Sequence, residues 1–220
     1  RERALIGPSH STGAFPAVEG TLALDAELPD LIRAARLELA GTEPADLEEW
    51  RKAGLAEHAA VGSFAKLGLE LLVAGAPPHL VRLATRAQEE EVLHAHISLA
   101  LSGGHKEDGM ALDFPEHTLE LRRKHSMMHQ AAVSEGLEGE GNAALDLYKK
   151  ATRALGLHED AAGQARPSLG KLLWAMAEDE ARHAALAADT LSWLQQSQGM
   201  PAPAVEFDGG KVRVAVTNVL

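Results

Sequence analysis

The chain has no cysteine. That excludes disulfides, thiolate metal sites and cysteine-ligated iron centres, so any metal has to be held by oxygen and imidazole nitrogen. Aromatic residues are also scarce, at 4% against 45% hydrophobic residues overall. With Ala and Leu supplying most of the apolar surface, this composition favours packed helices over a β-sandwich. Basic residues are outnumbered, 21 Lys and Arg against 32 Asp and Glu, for a formal charge of −11. Such a balance argues against a nucleic-acid partner. No apolar run reaches the roughly 18 residues that span a bilayer, and no segment reads as a signal peptide, so neither a membrane partner nor export is expected. A cytoplasmic location is the expectation.

What the chain does have is a repeated box. Glu90-Glu91-Val92-Leu93-His94-Ala95 and Asp179-Glu180-Ala181-Arg182-His183-Ala184 each read acid, Glu-x-x-His, Ala. Positions three apart share a helix face, so each box aims a carboxylate and an imidazole at one point. Both boxes lie on apolar stripes. The first runs Leu80, Leu83, Ala87, Glu91, His94, Ala95, Ser98, Leu101; the second runs Leu169, Leu172, Met176, Glu180, His183, Ala187, Leu191, Leu194. On this reading Glu89 and Glu90 turn away from the first stripe. Arg182 is expected to pair with Asp179 or Glu178.

Two further helices are expected. One starts near Pro44 and carries the stripe Trp50, Gly54, Glu57, Val61, Phe64, Gly68, Leu71. Glu57 reads either as a rim residue or as a buried carboxylate that needs a cation. The other covers about 116–155. Its stripe passes through Leu121, His125, Met128, Ala132 and Glu135 on one side, and through Glu140, Ala144, Leu147 and Ala151 on the other. The two phases differ by about one residue. The glycine-rich stretch between them reads as a π-type turn or as a break between two helices. Glu91 and Glu180 stand the same distance after Pro78 and Pro167, and Glu140 precedes its hairpin much as Glu57 does. Glu140 is therefore the internal counterpart of Glu57, with Glu135 an additional acid on that face. His125 and His129 read as structural, His105 and His117 as solvated, and Tyr148 as a packing residue or a redox relay.

Glu, Glu-x-x-His, Glu, Glu-x-x-His over four long helices resembles the ferritin-like di-iron carboxylate superfamily, whose ligand pattern this is. The wording Glu135-Gly-Leu-Glu-Gly-Glu140 and Ala177 to Ala184 is similar to bacterial ferritin-like domain proteins. The resemblance covers about 45–197. It implies an all-α fold, an antiparallel four-helix bundle with one long crossover after the second helix. An N-terminal arm with a short helix would occupy 1–44 and an extended tail 198–220. It implies metal ligation by Glu57, Glu91, His94, Glu140, Glu180 and His183, with Glu135 as a further candidate. Two of the carboxylates are expected to bridge two iron ions, with manganese or a mixed pair as variants. The implied activity is that of an oxidoreductase using dioxygen and an external electron donor to oxidise or hydroxylate a small molecule; the alternative is a ferroxidase or iron-storage protein. The alternating Lys211 to Val216 is expected to pair with the N-terminal arm or with a neighbouring subunit in a homodimer.

Overall fold

The computed structural model describes residues 20–103, 120–122, 124–157, 165–199, 204–208 and 210–215. The arm before Gly20, most of the expected crossover with His105 and His117, and the loop 158–164 lie outside the described residues.

Among the described residues the protein is all-α apart from one small hairpin. A short 3-10 turn, Thr21–Leu24, leads into α1, Leu28–Glu38. The long helices α2, Pro44–Val73, and α3, Pro78–Leu101, follow. Helix α4, His125–Ala131, runs directly into a π-helical segment, Ala132–Glu140, and that into α5, Gly141–Ala154. Helix α6 covers Pro167–Gln198. Proline stands at the start of α2, α3 and α6, where its missing N–H costs nothing. Glycine with positive φ closes them, Gly75 at 74° after α2 and Gly199 at 65° after α6, because a left-handed residue satisfies the last carbonyls without a Cβ penalty.

Helix α2 packs along α3, the π-segment and α5 along α6, and α3 against α6. The sequence positions in contact run in opposite senses: Gly54 meets Leu99 near one end of the α2–α3 pair, and Gly136 meets Ala187 and Gly170 meets Leu155 along the other pair. Each pair is therefore antiparallel. A Cβ on Gly54 would lie 2.6 Å from Leu99 Cγ, so the absence of a side chain there lets the two backbones approach.

Two apolar cores flank a polar centre. One contains Leu28, Ile32, Ile97, Leu101, Leu172 and Met176. The other contains Phe64, Leu71, Leu80, Met128, Leu186 and Leu194. On α3 and on α6, both boxes fall between these cores. No helix among the described residues is long and apolar enough to cross a membrane.

Residues 120–122 are not helical and α4 begins at His125, so Leu121, expected within the third helix, precedes it. Of the two readings of the glycine-rich stretch, the π-type turn is the one found: the chain stays helical through a nine-residue π-segment. The C-terminal strand Lys211–Ala215 pairs antiparallel with Ala204–Asp208, a partner the sequence reading did not name. This hairpin rests on the end of the π-segment. Asn142 Nδ2 donates to the Val212 carbonyl at 3.1 Å, and its Oδ1 accepts from the Val212 N–H at 2.9 Å. The same amide donates to Glu138 O at 2.6 Å, a carbonyl near the end of the wide turn.

Candidate metal centre

Glu91, His94, Glu180 and His183 are all buried, and Glu57 and Glu140 are half-buried beside them. These six form two overlapping sets, Glu57, Glu91, His94 and Glu180 in one, Glu91, Glu140, Glu180 and His183 in the other. Within each set, one ligand atom per residue lies within 4.8 Å of the others. Glu91 and Glu180 belong to both. The two oxygens of Glu180 divide between the imidazoles: Oε1 is 3.1 Å from His94 Nδ1 and Oε2 is 3.4 Å from His183 Nδ1. Glu91 does the same, with Oε1 3.0 Å from His183 Nδ1 and Oε2 3.9 Å from His94 Nδ1. The two rings are 6.0 Å apart. Each shared carboxylate thus faces both halves of the cluster.

The far nitrogen of each ring is held by the other box. His94 Nε2 lies 3.0 Å from Asp179 Oδ2, and His183 Nε2 lies 3.0 Å from Glu90 Oε2. Glu90 also accepts from Arg86 Nε and from Arg182 Nη2, both at 2.9 Å. Asp179 pairs with Arg182 and accepts from the N–H and hydroxyl of Thr21, at 2.9 and 2.5 Å. Arg182 therefore spans the two acids that orient the two rings. With Nε2 fixed this way, each Nδ1 points into the cluster.

The electrostatics follow from crowding four carboxylates. Burial, then the charges of Glu180 and Glu91, pushes the Glu57 carboxyl up to about 8. Burial, then a shared hydrogen bond with Glu180 and its charge, pushes Glu140 up to about 10. Burial would lower both histidines, but the surrounding carboxylates outweigh it. His183 rises to about 12 beside Glu180, Glu90 and Glu91, and His94 rises beside Glu180, Glu91 and Glu57. Burial opposes ionisation of Glu180 as well, yet His183, His94 and Glu140 hold it far below the usual carboxylate range. The metal-free cluster stays near neutrality by keeping protons.

The donor set fits divalent cations. Glu91 Oε2, Glu180 Oε2, His94 Nδ1 and His183 Nδ1 are buried without a hydrogen-bond partner. The short N···O distances to the rings do not have hydrogen-bond geometry. Leaving such atoms unsatisfied costs on the order of 1–3 kcal/mol each, and all four face the same space. Oxygen and imidazole donors without sulfur suit iron, manganese or zinc.

An apolar pocket adjoins the second set. Phe64 and Leu67 from α2, Met128 from α4, and Leu186 and Ala187 from α6 wall it, and Glu140 and His183 form its inner end. The Phe64 ring is 4.8 Å from that of His183.

Every residue of the expected ligand set is in the cluster except Glu135. Its carboxylate is 66% exposed and accepts from Arg122 Nη1 at 2.8 Å. The wide turn brings Glu140 inward and leaves Glu135 at the outer end of the pocket. Glu90 corrects the sequence reading in the opposite direction: it is buried rather than turned away. The signal for it was present, since an acid precedes Glu-x-x-His in both boxes. Thr21, Asn142 and the buried Glu70–Arg122 pair gave no such signal. Neither His125 nor His129 joins the cluster. Tyr148 stacks edge-on against Trp174 at 5.0 Å, and Trp174 Nε1 donates to Glu178 at 2.8 Å. Compared with family models, with curated proteins and with solved structures, the chain matches none.

Proposed function

We propose that this chain is a ferritin-like di-iron carboxylate protein, an oxidoreductase that uses dioxygen to oxidise or hydroxylate a small organic molecule. The observation that carries the reading is the sharing of Glu91 and Glu180 between two four-residue sets, the arrangement by which carboxylates bridge a pair of ions. Four carboxylates balance the charge of two divalent cations, so the filled cluster is neutral inside a low-dielectric core. Two iron ions held by these residues would supply electrons for dioxygen reduction, which an external donor would restore.

The chain's own groups hold and orient. Glu57 with His94, and Glu140 with His183, terminate the two halves. Asp179 and Glu90 fix the ring orientations and keep Nδ1 directed inward. The apolar wall of Phe64, Leu67 and Leu186 excludes water from the side of Glu140 and offers an organic molecule a place next to it. A second reading, iron oxidation for storage, draws on the formal charge of −11, which favours cation approach. It leaves that apolar pocket without a use.

Anaerobic Fe(II) titration tests both. The proposal expects saturation at two ions per chain and a defined oxygen consumption on exposure to air. Glu180→Ala and His183→Ala should each lose at least one ion. Unchanged metal content in both variants would sink the di-metal reading, and continued uptake of many ions per chain would favour storage.

A further inference from the structure

The pocket beside the cluster ends in three features that specify what it accepts. Its walls are hydrocarbon and aromatic. Along them lies Thr190, fully buried, whose hydroxyl has no hydrogen-bond partner. At the outer end, Arg122 is paired with two acids. Its Nε donates to both oxygens of buried Glu70, at 3.0 and 2.8 Å, its backbone N–H donates to the same carboxylate at 2.6 Å, and its Nη1 donates to Glu135 at 2.8 Å. Among the described residues, then, no charged group lining the pocket stands alone. Glu70 and Glu135 face Arg122, and Glu140 and His183 belong to the cluster. An ion of either sign seated among the apolar walls would lose its hydration, and an anion would also meet two carboxylates for the one guanidinium, which is strongly unfavourable. An acid would also have to displace Glu135 from Arg122 and sit beside Glu70.

We propose that this pocket binds a small uncharged molecule, mainly hydrocarbon, whose one hydrogen-bonding group pairs with the Thr190 hydroxyl, while the Arg122–Glu135 pair at the mouth discriminates against acids. The assignment of that molecule as the substrate rests on reading the adjacent cluster as the di-metal site. Thr190 is a specificity-determining residue on this account. Its hydroxyl contributes nothing to the fold and is satisfied only by the ligand.

The test is calorimetric titration of the full chain with three probes sharing one alkyl chain: hexan-1-ol, hexanoate and hexylammonium, near neutral pH. Hexan-1-ol is expected to saturate one site per chain. Both ions should bind at least about tenfold more weakly, from the cost of burying a charge. Thr190→Val keeps the side-chain shape. It should weaken hexan-1-ol about threefold to tenfold, the equivalent of one hydrogen bond, and leave the melting temperature unchanged or higher. Hexanoate or hexylammonium binding as tightly as the alcohol would overturn the proposal. So would a Thr190→Val variant that binds the alcohol normally, or one that loses stability because the hydroxyl was structural. Metal stoichiometry measured on the same protein separates the two readings. Two bound ions with no alcohol binding overturn the pocket inference alone; alcohol binding with no metal uptake supports the pocket and removes the di-metal function.

Discussion

Replacing Gly136 with Ala gives the sharpest test of how the π-segment seats on α6. A Cβ at Gly136 would lie 2.3 Å from Ala187 Cβ. Ordinary carbon–carbon contact is about 3.5–4.0 Å, so the segment must retreat from α6 by more than about 1 Å. Overpacking of this kind costs about 1–3 kcal/mol. Against it, Ala in place of Gly in a helix interior gains about 0.5–1 kcal/mol. The net expectation is a loss of up to about 2.5 kcal/mol in urea unfolding of the metal-free protein. Glu140 lies on the same segment and moves with it, so metal uptake by the Glu140–His183 half should weaken more than uptake by the Glu57–His94 half. The double variant G136A/A187G returns the contact to a single Cβ. It should be more stable than the sum of the two single changes predicts by at least about 1 kcal/mol, a coupling typical of residues in contact. If G136A alone raises stability by its full propensity gain, with no coupling to Ala187 and unchanged metal content, the seating argument is wrong.

Deleting Gly139 should convert the wide turn to regular helix and rotate everything after it by about 100°. Glu140 would then leave the cluster and Asn142 would leave Val212; retention of full metal content would refute this. Filling the cluster at pH 6.5 should release up to about four protons per chain, because ligation requires deprotonated groups. Glu57 at about 8, Glu140 at about 10, His183 at about 12 and the raised His94 all hold protons in the metal-free protein at that pH. Metal affinity should therefore rise with pH, and calorimetry in buffers of different ionisation enthalpy that finds under about one proton released would contradict the charge assignment. Glu90→Gln and Asp179→Asn should each weaken metal binding about 10–100-fold in a chelator competition, with helix content preserved, whereas Glu178→Gln should not; equal affinities throughout would mean that the rings need no carboxylate to orient them.

The sequence alone carried the all-α class, the helix boundaries marked by proline and glycine, and the meeting of Glu57, Glu91, His94, Glu140, Glu180 and His183. The class and the boundaries rest on local periodicity; the meeting of the six residues is what the resemblance to ferritin-like di-iron carboxylate proteins implied, on carboxylates that fall in phase with apolar stripes. The phase slip near Glu135 was legible for the same reason, since an extra residue in a helix displaces every later side chain by a fixed angle. What periodicity could not decide was anything set between elements. Adjacent helix residues point in different directions, so Glu90 looked solvent-facing until α6 supplied His183 and Arg182. Glu135 fell on the ligand face by phase, but Arg122 drew it outward, a contact set by residues 120–122, which the sequence pattern placed in the third helix and the structure does not. The choice of Thr21 as a partner for Asp179, and of Ala204–Asp208 as a partner for the last strand, also depended on how the chain ends fold back. Partners at long sequence separation are selected by packing, and only the tertiary structure contains that information.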